Sequence, residues 1–133
     1  MHPPIPAPSD LVDAPVAVTA HYELPAGGHF DRATYVADHL PLARRVLAPH
    51  GLLALWALHP ELPPPTAPGG VADPMTSAIT VAITVAVFAD RAQARAALAA
   101  CGAELAAHAR RYASHAPRVR LCALSGWPTA PRP

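Results

Sequence analysis

Tyr35, His39 and Pro41 stand in one short run of the chain, and together they can do proton chemistry. An imidazole titrates near neutrality, which suits His39 to general acid or base work at cellular pH. Tyr35 precedes it by four residues and so shares its face of a helix, where a phenol can orient the imidazole or donate to a substrate carbonyl. Pro41 has no backbone N–H and its ring opposes the Ala37 carbonyl, which predicts a helix kink beside His39 that turns the imidazole toward the sheet edge. The plainer roles are a His39 bonded to backbone that Pro41 frees, and a Tyr35 that packs.

Other candidates lie on strands. His21 has the parity of Thr19 and points with it toward a cavity or its rim. Trp56 and His59 have opposite parities on the next strand, so at most one of them lines that cavity, and the pattern does not decide which. Arg120, near a strand start, can pair with a carboxylate or polarise a carbonyl, or simply face water. Thr80, Ala82 and Thr84 supply small, weakly polar wall.

Several chemistries are disfavoured. The eight histidines offer no adjacent-face pair on one helix or strand, so the expectation is no metal. No glycine-rich phosphate loop, dinucleotide fingerprint or G-x-S-x-G elbow occurs, and the expectation is no cofactor. Cys101 and Cys122 read as buried free thiols. The ten basic residues are all arginine, scattered against nine acidic ones for a net charge of +1, which gives no stripe for nucleic acid. Ala78 to Ala89 is too short to cross a membrane, and the start of the chain shows no basic-then-apolar leader, so a cytoplasmic protein is expected.

These residues need elements to hold them, and 133 residues supply one core. The 18 prolines concentrate in an arm at 1–13, a loop at 60–74 and a tail at 128–133, leaving one domain over 14–127. Pro15 to Tyr22 alternates as a strand. Asp31 caps a helix to about Val46, with Phe30 stapled on Tyr35 and a stripe of Val36, Leu40, Ala43 and Leu47. Gly51 to His59 and Ser77 to Phe88 read as strands. Asp90, with Gln93 three residues on, starts a second helix striped by Ala94, Leu98, Cys101 and Leu105, which Gly102 ends or weakens. Val119 to Ser125 is the last strand. The order predicts an α+β, ferredoxin-like βαββαβ fold: a four-stranded antiparallel sheet with both helices on one face.

The third strand alternates Ile79, Val81, Ile83, Val85 and Val87 with Thr80, Ala82, Thr84 and Ala86. The branched row is expected under the helices. The small row is then left to a second sheet, which predicts a homodimer closing face to face over a ligand cavity. An open, weakly polar outer surface is the alternative.

The run FDRATYVADHLPLARRVLAPHGL, residues 30–52, resembles the EthD family signature through Phe30, Asp31, Tyr35, His39, Pro41, Leu42, Gly51 and Leu52. VFADRAQARAALAACGAEL resembles the family's second helix and Pro117 to Cys122 its last strand. Coverage runs from about Val16 to Trp127. Three positions depart from the pattern: His108 and Ser114 stand where an acidic residue and an asparagine are frequent, and Arg120 where glutamine is. The resemblance implies a dimeric αβ barrel, in a superfamily that includes cofactor-independent oxygenases, decarboxylases, isomerases and cyclases of aromatic or polyketide-like molecules.

The leading expectation is therefore a cofactor-independent enzyme that cyclises, isomerises or decarboxylates a small apolar metabolite with His39 moving the proton. The others are an oxygenase of the same substrate class, a non-catalytic ligand carrier, and a partner protein docking through its proline-rich segments.

Overall fold

The structure, a computed structural model, describes residues 15–61 and 78–128. The arm, most of the 60–74 loop, the tail after 128 and the expected strand start at Ser77 lie outside them.

Strand β1 (Val16–Leu24) leads through a glycine turn to a helical run. That run consists of α1 (Arg32–Thr34), a wide π turn (Tyr35–His39), α2 (Leu40–Leu47) and a 3₁₀ turn (Ala48–His50). Then come β2 (Leu52–Leu58), β3 (Ile79–Phe88), α3 (Arg91–Ala109) and β4 (Arg118–Ala123). The sheet order is β2-β3-β1-β4 with every pair antiparallel, which is the expected ferredoxin-like arrangement. No helix among the described residues is long and apolar enough to cross a membrane.

Both helix starts form as their residues dictate. The Asp31 carboxylate accepts from the Thr34 N–H and hydroxyl, and the Asp90 carboxylate accepts from the Gln93 N–H. Phe30 packs on Tyr35 with ring centroids 5.2 Å apart. The disturbance at Pro41 takes a definite form: the turn before it widens, and the Leu40 N–H reaches back to the Tyr35 carbonyl. The extra residue in that turn shifts the helix face. Leu40, Ala43 and Leu47 are buried as expected, while Val36 is 44% exposed. Gly102 does not end α3, which continues to Ala109.

The strand faces reverse the expectation. Ala82, Thr84 and Ala86 are buried under the helices, and Ile83 and Val85 lie half-exposed on the other side. Paired residues in an antiparallel sheet share a face, so the register extends this across the sheet. Ala20, Thr84 and Ala57 form one small-residue row on the helix side, and Val18, Ala86 and Leu55 form the next. The reason is bulk above the sheet: Tyr22, Tyr35 and Tyr112 are all fully buried there. Aromatic rings of this size leave room only for short side chains opposite.

On the helix-free face, Trp127 stacks on Trp56 with centroids 5.9 Å apart. Trp56 belongs to one edge strand and Trp127 follows the other, so the chain after β4 crosses this face. Ala17 and Val87 share that face and are buried on it.

Candidate functional site

Tyr35 and His39 project from the π turn toward the sheet and toward α3. The loop before α1 is pinned to the end of α3: the Asp31 N–H donates to the Tyr112 carbonyl at 2.7 Å, and the Ser114 N–H donates to the His29 carbonyl at 2.9 Å. This pinning seats Tyr112 over the sheet among Tyr22, Phe30 and Tyr35, whose ring centroids lie within 5.7 Å of its own. The His39 ring stacks near Tyr35 at 5.9 Å and meets Tyr112 edge-on at 5.0 Å.

The polar tips in this aromatic cluster are paired. Tyr22 and Tyr112 share a hydroxyl hydrogen bond, as do Tyr35 and Thr84. The Nδ1 atoms of His39 and His108 lie 3.0 Å apart, which requires one ring to donate and the other to accept. Burial raises the pKa of all three tyrosines, Tyr22 to about 12, so the phenols are weaker acids than usual. Burial, reinforced by His108, pushes His39 down to about 4. At neutral pH the site therefore holds phenols and a neutral His39 imidazole.

Beside this cluster lies a cavity of ≈ 120 Å³ between sheet and helices. Its wall is apolar except for Tyr22, His39 and Thr84. Small residues create the space, among them Ala20, Ala43, Ala86, Ala97 and Gly102. Pro117 and the exposed Val119 of β4 mark its mouth. An apolar void of about 150 Å³ can hold benzene, so this one is of single-ring size.

The sequence candidates thus divide between two sides of the sheet. His39, Tyr35 and Thr84 come together on the helix side, with Ala82 buried in the same core. His59 faces that side as well: its ring meets Tyr35 edge-on at 5.8 Å, in an outer groove shared with Arg32. Burial and then the Arg32 charge lower its basicity. His21, Trp56 and Arg120 belong to the helix-free face, and so does Thr80, because the β1–β3 register shifts between Tyr22 and Glu23 and takes it out of the row of Ala82 and Thr84. His21 bonds Thr19 at 3.1 Å there, Trp56 pairs with Val85, Thr80 with Glu23, and Arg120 with Thr19. The single expected cavity joining His21 and Arg120 to His39 does not form, because the sheet separates them. Tyr22, His108 and Tyr112 were not among the candidates. Of the two cysteines, Cys101 is buried and Cys122 half-buried, both free. Among the described residues, no group of three or more His, Cys, Asp or Glu side chains is placed to hold a metal ion.

No family model and no curated protein matches this sequence. Solved structures do resemble it. An EthD-like protein from Ralstonia eutropha JMP134 superposes with TM-score 0.69 at 19% identity, over 88% of this chain and 97% of that one. The chain has an EthD-like fold. An ethyl tert-butyl ether D (EthD) family protein from Bacillus halodurans C-125 gives TM-score 0.54 at 19% identity, over 80% and 95%. A protein of unknown function from Nitrosomonas europaea gives 0.54 at 22% identity, over 91% and 99%. The EthD resemblance read from residues 30–52 thus holds at the level of the fold.

The buried His39 makes stability depend on pH in a defined direction. The unfolded chain takes up this proton near pH 6.5 and the folded protein only near 4. Between these values the unfolded state binds more protons, so stability falls as pH drops from about 6.5 to 4 and then levels for this group. The expected loss is about 3 kcal/mol. Urea unfolding at both ends of that window should show it, and a His39→Phe variant should show a flatter response. Equal slopes in the two proteins would mean that His39 is protonated as easily folded as unfolded.

Proposed function

We propose that this EthD-like chain is a cofactor-independent enzyme that binds a small apolar ring metabolite, aromatic or polyketide-like, in the cavity between sheet and helices. His39 moves a proton there during cyclisation, isomerisation or decarboxylation. The observation that carries this reading is the placement of His39, 5% exposed, on the polar edge of an otherwise apolar cavity. An imidazole with a phenol and a hydroxyl beside it can serve a carbon acid whose neighbouring carbonyl takes up the charge. The dry wall strengthens each of those interactions. In the oxygenase variant the same deprotonation yields a carbanion that reacts with dioxygen, and oxygen uptake separates the two.

A second reading, a non-catalytic carrier of the same ligand, is favoured by one observation: the depressed basicity of His39. A weak base suits a hydrogen-bonding anchor better than a proton abstractor.

The proposal also places a second copy of the chain on the helix-free face, where Trp56 and Leu58 are 38% and 51% exposed. Light scattering should give twice 13.8 kDa. A monomer across micromolar concentrations would remove the face-to-face barrel. Calorimetric titration with phenol, benzene and cyclohexanone, each a single ring, tests the cavity. Saturable binding that perturbs the His39 ring resonances is expected; no binding of any of the three would sink the assignment.

A further inference from the structure

The cavity and the outer surface are joined by two imidazoles. His39 lines the cavity, and its Nδ1 is engaged by His108, so Nε2 is the ring nitrogen left for a ligand. His108 also lines a groove on the outer surface, and its own Nδ1 is engaged by His39, so its Nε2 is the atom left for water. The ring centroids lie 5.2 Å apart with the planes inclined by 25°, so the two rings meet nearly end to end through their Nδ1 atoms. Apart from His39, the titratable and charged groups about His108 are Tyr112, packed against it, and Asp38, Arg45, Glu104 and Arg111 along the groove. The last four are exposed and balance in sign.

We propose that His39 and His108 form one proton relay, passing a proton between the cavity and the groove by exchanging ring tautomers, with His108 as a positioning residue that acts through His39. This rests on the reading of the cavity as an acid–base site. In the resting pair His39 carries its proton on Nδ1 and donates it to Nδ1 of His108, leaving Nε2 of His39 bare. When Nε2 takes a proton from a ligand carbon, the Nδ1 proton of His39 passes to Nδ1 of His108. The carbon keeps the electron pair, and His108 becomes the cation. Its Nε2 proton can then leave to water in the groove. Return of a proton to the product runs the same transfers backwards. The pair thereby puts positive charge on the half-buried ring and keeps it off the buried one, where desolvation makes an imidazolium costly. A lone His39 has no such outlet.

The test is a pH titration of the intact protein carrying ¹⁵N-labelled histidine, following the ring nitrogens of both residues from about pH 8 to 5. The expected result is that His39 changes from the Nδ1–H to the Nε2–H tautomer with the same midpoint at which His108 becomes doubly protonated. In His108→Phe, which keeps a ring in place, and in His108→Gln, which keeps a hydrogen-bonding group, the inversion at His39 should be lost. A wild-type His39 that keeps one tautomer while His108 titrates, or an inversion that persists in both variants, would overturn the relay. The measurement needs no ligand, so failure of the enzyme reading would show separately, as absence of binding or turnover with the relay signature intact.

Discussion

Replacing Gly102 with leucine should abolish ring-compound binding while leaving the fold as stable as before or more so. Gly102 lies in α3 on the cavity wall, and a Cβ built there meets no atom within 4 Å. The first atom of a leucine side chain thus meets no neighbour, and the rest of it is expected to take up the void that Gly102 helps to line. Removing a helix-interior glycine should itself contribute about 0.5–1 kcal/mol. For the wild-type protein, a ligand at a hundred times its dissociation constant adds about 2.7 kcal/mol to stability. Thermal unfolding with and without phenol should show that increment in the wild type and none in Gly102→Leu. An undiminished shift in the variant would place the ligand elsewhere, with the groove beside His59 the next location to search.

The other large effect expected is on turnover. His39→Gln should slow proton transfer by about 10²- to 10⁴-fold and leave ligand affinity roughly unchanged. Glutamine can keep a hydrogen bond toward His108 but cannot accept and release a proton at neutral pH. A suitable probe is cyclohexanone, whose carbons flanking the carbonyl exchange hydrogen for deuterium in heavy water. The exchange should be accelerated by the wild-type protein and not by the variant. If the glutamine variant exchanges as fast as wild type, His39 positions the ligand and another group carries the proton. If neither protein accelerates exchange yet both bind, the carrier reading stands.

The element order, the two carboxylate caps and the Phe30 staple were legible because each depends on residues close together in the chain. The π turn was legible in cause, since Pro41 removes a donor, but not in form, and the exposure of Val36 follows from the form. The strand faces were misread for a physical reason. Side-chain size on β3 does not by itself set its facing, because the volume packed against the strand decides it, and the chain's three tyrosines all sit on the helix side. Once their rings occupy that space, Ala82, Thr84 and Ala86 are the residues that fit. His108 and Tyr112 could have been flagged by their four-residue spacing near the end of α3, which repeats that of Tyr35 and His39. The meeting of His108 with His39 spans sixty-nine positions and depends on the pinning of the 29–31 loop to the end of α3.

The chain's two tryptophans are the stacked pair Trp56 and Trp127. All indole emission of the protein therefore originates on the helix-free side of the sheet, and none beside the cavity. The two indoles lie with ring centroids 5.9 Å apart, so near-ultraviolet dichroism should report whether the segment after β4 lies across the sheet. Ligand entry next to Tyr22 is spectrally separate from it, which makes the two faces of one small sheet readable by different chromophores in a single sample.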